Sequence, residues 1–170
     1  SILDQLVNKV VQKKYIYGAV FYVSSSANSI DLISASGNVQ KGSQYYIASI
    51  NKLFISSIIL NLYTNNKLDL QDKISKFLPE EVIKGLHIYK NIDYSNELSI
   101  AHLMSLTSGL PGYLIDKQAN GKKAMVELEA SIDQCWPFEK VVQEIKRMKP
   151  KFPPGKAGRA VYNDTNHQIL

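Results

Sequence analysis

The sequence has little cysteine and no long apolar run. Cys135 is the only cysteine among 170 residues, so an intrachain disulfide scaffold is excluded. No apolar stretch approaches the roughly 20 residues that a transmembrane helix needs. The residues at the N-terminus lack the basic and apolar regions of a signal peptide. We therefore expect no integral membrane segment in this sequence.

The sequence also lacks the usual signatures of metal and phosphate sites. His87, His102 and His167 are its only histidines, and they are too far apart to show metal-ligand spacing. Neither a Gly-x-Ser-x-Gly elbow nor a phosphate-cradling glycine pattern occurs. The sequence therefore predicts no metal site, and any serine nucleophile must lie in a different kind of motif.

The net charge is +5, from 20 basic and 15 acidic residues. Much of the excess lies between positions 139 and 159, where the basic residues are Lys140, Lys146, Arg147, Lys149, Lys151, Lys156 and Arg159. Such a patch could bind an anionic polymer, or it could be a solvated helix face followed by a loop. Because no aromatic residues are interleaved as stacking platforms, we favour the solvated face and expect no nucleic-acid partner.

Apolar spacing predicts an α+β protein. The predicted helices cover residues 2–13, 49–63, 100–106, 122–134 and 137–149, and a hairpin covers residues 17–36. The helix at 49–63 is apolar on nearly all sides, so we expect it in the core, directly after a short strand at 45–47. Residues 165–170 have the pattern of a new helix that has only begun. We therefore expect the chain to be the N-terminal portion of a longer domain.

The first candidate for chemistry is the Ser-x-x-Lys motif of Ser49 and Lys52. A spacing of three places both side chains on one face of a helix. A first-turn serine has a free backbone N–H that can stabilise an oxyanion, and a desolvated lysine can act as its base. The alternative is structural, with Ser49 as an N-cap and Lys52 extended into solvent.

The second candidate is the tripeptide Tyr162-Asn163-Asp164. A tyrosine near a serine and a lysine can relay a proton to a leaving group, and a neighbouring carboxylate can hold a substrate amide or position the lysine. The alternative is a turn in which Asp164 caps the helix that begins at Thr165. This motif indicates a site only when it is combined with the first one.

Together, four segments in order resemble the penicillin-recognising serine hydrolases, which include class C β-lactamases, D-Ala-D-Ala carboxypeptidases and related esterases. Residues 46–54 resemble the nucleophile segment of that family, and residues 66–79 resemble the stretch that follows it. Residues 98–111 are similar to a family helix that ends in Thr-Ser-Gly-Leu-Pro, and residues 152–167 are similar to the segment of the second motif. The resemblance covers most of residues 15–170.

The resemblance implies a fold in which a helical domain packs on an antiparallel sheet, with residues 17–36 as the first strands. It implies that Ser49 is acylated, that Lys52 is its general-base partner, that Tyr162 relays the proton and that Asp164 lies in the substrate site. It implies a β-lactam, D-amino-acid peptide or ester as substrate and no cofactor. By analogy it also implies an extracytoplasmic, cell-wall role with a peptidoglycan-like peptide as partner.

Two departures from the family pattern leave a second hypothesis open. Asp164 stands where the family usually has asparagine, which replaces an amide donor by a negative charge. No Lys/His-Ser/Thr-Gly motif follows in this sequence, and the strand that carries it would supply an oxyanion donor worth about 10²–10³ in rate. The alternative is therefore a non-catalytic relative that binds ligands or acts as a scaffold.

Overall fold

The computed structural model describes residues 1–130 and 136–170, and the chain divides into two compact units, Ser1–Ala48 and Ser49–Leu170. The helices are α1 (Ile2–Val11), α2 (Asn51–Thr64), α3 (Glu80–Ile83), α4 (Ile100–Met104), α5 (Ala124–Ala130), α6 (Phe138–Arg147) and α7 (Thr165–Ile169). The strands are β1 (Gly18–Ser25), β2 (Ile30–Gly37), β3 (Ile88–Tyr89) and β4 (Ile92–Asp93).

The first unit is a helix packed on a β-hairpin. Strands β1 and β2 are antiparallel, with Gly18 opposite Gly37 and Ser25 opposite Ile30. Ser1 caps α1 in a capping box with Asp4, whose carboxylate also accepts a 2.6 Å hydrogen bond from Ser34 on β2. Hydrogen bonds from Ser34 and Ser1 lower the pKa of Asp4. The structure thus confirms the predicted helix and hairpin of this unit.

The second unit has one apolar core, to which α2, α3, α4, α6 and α7 and the segments between them contribute. The fully buried cluster is Ile59, Ile74, Ile83, Leu86, Leu98, Ile100, Leu103, Leu110, Val141, Val142, Ile145 and Ile169. Helix α6 shows how the sequence forms this core. The apolar residues of α6 fall on one helical face and its charged residues on the other. The predicted helix at 137–149 is therefore confirmed as α6 (Phe138–Arg147).

The expectation that helix α2 is buried on all sides is wrong. Of its residues only Ile59 is buried, whereas the side chains of Leu53 and Phe54 are 67% and 56% exposed. The physical reason is that the core of the second unit contacts one face of α2, and apolar composition alone does not cover the others. The expected strand at 45–47 is also absent, since these residues belong to no helix or strand in the structure.

The remaining predicted elements agree with the structure over the described residues. Ser99 caps α4 and shares a capping box with His102, as its position before an apolar run predicts. Helix α5 lies inside the predicted range 122–134, but positions 131–134 and Cys135 lie outside the described residues. The segment before Ser99 also contains the short antiparallel pair β3–β4. No helix in the described part of the chain is long and apolar enough to cross a bilayer.

Candidate active site

The Ser-x-x-Lys pair lies where α2 begins. Ser49 is in a single 3-10 turn, Ala48–Ile50, and Lys52 is in the first turn of α2. The Lys52 ammonium donates a 3.1 Å hydrogen bond to Ser49 Oγ. Ser49 is exposed, whereas the Lys52 side chain is only 17% exposed. The spacing of three thus brings the hydroxyl and the ammonium group into contact.

The second motif meets the first one although it is more than a hundred residues away. The Tyr162 hydroxyl donates a 2.9 Å hydrogen bond to Ser49 Oγ. Lys52 Nζ donates to Asp164 Oδ1 at 2.5 Å, and the Asp164 side chain is only 22% exposed. All four residues that the sequence singled out are therefore neighbours, with Ser49 Oγ accepting from two donors.

A buried polar network holds the second motif in place. Asn163, between Tyr162 and Asp164, donates to the Leu110 carbonyl at 3.1 Å and accepts from the Asn166 side chain at 2.9 Å. The Thr165 hydroxyl donates to the Pro111 carbonyl at 2.6 Å and accepts from the Tyr113 amide at 3.0 Å. These bonds fix the start of α7 to the turn after α4, so Tyr162 and Asp164 have defined positions.

The charges of the site differ from the sequence-based expectation for Lys52. Burial alone would lower the pKa of Lys52, but hydrogen bonds to Asp164 and Tyr162 and their charges outweigh burial and raise it above 10.5. These contacts favour the charged form of Lys52, and its role as the general base stays a prediction. The pKa of Tyr162 is lowered below 10, first by its hydrogen bond to Ser49 and then by Lys52. Of these two groups, the phenol is the one that the surroundings favour as a proton acceptor.

The structural alternative for the first motif is wrong, whereas the alternative for the second motif holds only for the position of Asp164. Ser49 is not the N-cap of α2, because Ile50 holds that position without a side-chain hydrogen bond, and Lys52 turns to Asp164 instead of extending into solvent. Asp164 does hold the N-cap position of α7, but its carboxylate makes no capping hydrogen bond and binds Lys52. The polar groups of both motifs are thus directed to each other.

Two further residues belong to this site and were not assigned to it from the sequence. Burial and the charge of Asp164 raise the pKa of Tyr113, which Lys52 partly offsets, so Tyr113 is a neutral phenol near the pair. His167 has Nε2 3.4 Å from Ser56 Oγ on α2, and burial and then the charge of Lys52 lower its pKa. Tyr113 lies two residues beyond the segment 98–111, and that proximity is the one signal that could have indicated it.

The family model for beta-lactamase matches residues 3–170, which is nearly the whole chain. The chain belongs to the beta-lactamase family. No match to a curated protein is found.

Solved structures share the fold of this family member. A D-stereospecific amidohydrolase from Streptomyces sp. has a TM-score of 0.70 at 22% identity, covering 98% of this chain and 46% of its own. A D-amino acid amidase from Ochrobactrum anthropi SV3 has a TM-score of 0.64 at 16% identity, with coverages of 98% and 45%. EstCE1, a hydrolase with promiscuous acyltransferase activity, has a TM-score of 0.63 at 18% identity, with coverages of 99% and 46%. The chain thus spans less than half the length of these proteins.

These findings confirm the predicted family and the α+β, β-lactamase-like fold class. At these identities the likeness shows the fold alone. The roles of Ser49, Lys52, Tyr162 and Asp164 therefore stay predictions that rest on the geometry of this site.

Proposed function

We propose that this chain carries the nucleophile region of a serine hydrolase that forms a covalent acyl-enzyme on Ser49. The observation that supports this best is the pair of hydrogen bonds to Ser49 Oγ, from Lys52 at 3.1 Å and from Tyr162 at 2.9 Å. A solvent-exposed hydroxyl between an ammonium and a phenol has both a proton acceptor and a stabilising charge at hand.

In the proposed acylation step, Tyr162 acts as the base in its phenolate form. The phenolate takes the proton of Ser49, Oγ bonds to the substrate carbonyl carbon, and the carbonyl oxygen becomes an oxyanion. The tetrahedral intermediate then breaks its bond to the leaving group, which takes the proton from Tyr162. Lys52 stays protonated and stabilises the phenolate, in keeping with the directions of both pKa shifts. Water repeats the sequence to release the acyl group, without metal or organic cofactor.

The proposed substrates are amides, esters or β-lactams of D-amino-acid character, including peptidoglycan-like peptides. The names of the amidohydrolase and amidase with the same fold support amide substrates, and the name of EstCE1 supports acyl transfer more generally. A cell-wall role outside the cytoplasm follows by family analogy, and the net charge of +5 suits an anionic wall. This role stays a proposal about the whole protein.

Intact-mass spectrometry after incubation with a penicillin and with an activated acyl ester tests the acyl-enzyme. We expect the wild-type chain to gain the mass of one acyl group from at least one reagent and Ser49→Ala to gain none. Ser57→Ala is a matched control, because Ser57 is also an exposed serine of this region and its hydroxyl only bonds the Leu53 carbonyl. An adduct that persists in Ser49→Ala would contradict the assignment of the nucleophile.

The second candidate is a non-catalytic relative that binds ligands at the same site. The ion pair of Lys52 with Asp164 favours it, because a carboxylate that neutralises Lys52 weakens the positive charge available to an oxyanion. It predicts that ligands bind but that neither penicillin nor the ester acylates Ser49. Adduct formation on Ser49 excludes this candidate.

A further inference from the structure

The carboxylate of Asp164 presents an unused acceptor next to Ser49. Of the two carboxylate oxygens of Asp164, only Oδ1 accepts a hydrogen bond from Lys52. Within residues 1–130 and 136–170 no hydrogen bond to Oδ2 is found. The Asp164 side chain remains 22% exposed, so it is not fully covered by the protein. Since one ammonium group contacts both Ser49 Oγ and Asp164 Oδ1, the carboxylate lies close to the nucleophile.

A carboxylate at this place selects between substrates by hydrogen-bond polarity. An ionised carboxylate only accepts hydrogen bonds, so it pairs well with a cationic N–H donor and poorly with the carbonyl of an N-acyl group. Lys52 alone would repel a substrate ammonium, whereas a carboxylate with two oxygens can bind one cation on each. The Asp164 carboxylate, which neutralises Lys52, can thus also bind a second cationic group.

The geometry of an α-amino acid places its ammonium within reach of this carboxylate. In such an amide or ester, the α-nitrogen is about 2.5 Å from the carbonyl carbon, as standard bond lengths and angles require. When Ser49 Oγ attacks that carbon, the nitrogen therefore stays close to the nucleophile. It can then turn towards Asp164 Oδ2.

We propose that Asp164 is a specificity-determining residue, which makes the site selective for amides and esters of α-amino acids with a free α-ammonium over their N-acylated forms. The inference rests on the proposed function, because it assumes that Ser49 attacks the carbonyl next to that ammonium. It goes beyond that function by naming the group on the acyl side that the site recognises.

The kinetic test compares kcat/KM for phenylalanine p-nitroanilide and its N-acetyl form, in both configurations. Near pH 7 the α-ammonium, with a pKa of about 7.7–8.0, is mainly charged. We expect the wild type to prefer the free amine by at least about tenfold, the effect of one charge-assisted hydrogen bond, and Asp164→Asn to lose this preference. Because the ratio is taken within each variant, a general loss of rate through Lys52 cancels. Equal ratios in the two proteins would overturn the proposal.

A binding test separates this inference from the proposed chemistry. Calorimetry on Ser49→Ala measures the affinity for phenylalaninamide and N-acetylphenylalaninamide, with Asp164→Asn added in a second variant. Asp31→Asn, an exposed charge change in the other unit, is the matched control. Preferential binding of the free amine that depends only on Asp164 supports the inference even if the wild type acylates nothing, an outcome that would reject the proposed function alone. Equal binding of both amides would overturn the inference even if Ser49 is acylated.

Discussion

Replacing Thr165 by valine tests whether the buried network supports the site. Valine has nearly the shape of threonine, so no cavity forms and only the hydroxyl is lost. Thr165 is fully buried, and its hydroxyl bonds the Pro111 carbonyl at 2.6 Å and the Tyr113 amide at 3.0 Å. The substitution therefore leaves two backbone groups of the turn after α4 without their partner.

The expected loss of unfolding free energy follows from those two backbone groups. A buried polar group left unsatisfied costs about 1–3 kcal/mol, so the loss of both bonds in Thr165→Val should lower the free energy of unfolding by roughly 2–6 kcal/mol. That is a large part of the roughly 5–15 kcal/mol by which domains are stable. Thr165→Ser is the matched control, because it keeps the hydroxyl and loses one methyl group, at about 1 kcal/mol.

Urea unfolding followed by Trp136 fluorescence measures the difference. Trp136 is the only tryptophan of the sequence, and its ring lies 6.1 Å from that of Tyr113, which the network holds. We also expect Thr165→Val to slow acylation of Ser49, since Tyr162 and Asp164 flank the network. If the valine variant were as stable as the serine variant, the reasoning that this hydroxyl fixes α7 to the turn would be refuted.

Two other predictions concern the proton acceptor and a glycine. The rate of Ser49 acylation should rise with pH up to the pKa of Tyr162, which lies below 10, and should fall only above pH 10.5, where Lys52 loses its proton. A pH–rate profile of Tyr162→Phe checks this, because the variant should lose the rising part of the profile. An unchanged rising part would contradict the prediction. Gly109→Ala should destabilise the chain in urea by over about 2 kcal/mol, because Gly109 has a φ of +75° and a Cβ there would lie 1.9 Å from the Phe152 carbonyl oxygen. Gly121→Ala, with a φ of +78° and open space, should cost less, and equal losses would contradict the clash.

Local patterns predicted the elements well because they depend on neighbouring residues. The cap of α4 follows from a serine before an apolar run, and the hairpin follows from two β-rich runs around a polar turn. The exposure of α2 could not be predicted in this way. Its composition is apolar on every side, but which side is covered depends on the elements that pack against it.

The residues of the candidate site were predicted from the sequence, but the pKa shift of Lys52 was not. Ser49, Lys52, Tyr162 and Asp164 came from two motifs whose spacing says nothing about the distance between them in the fold, and the resemblance to a family linked them. The charge state of Lys52 depends on a contact of 2.5 Å with Asp164, which only the folded chain provides. Burial was therefore expected to dominate, while the observed balance favours the ion pair.

The substitution of aspartate for the usual asparagine at position 164 connects the proton transfer to the substrate. An asparagine would leave Lys52 with less to offset its burial, and the lysine would then be the better base. With Asp164, the pKa of Lys52 is raised and that of Tyr162 is lowered, which supports the proposed role of Tyr162 as the proton acceptor. In the proposed substrate complex, the same carboxylate has one oxygen for a cationic substrate group. The two proposals together predict that Asp164→Asn changes the pH profile and the substrate preference.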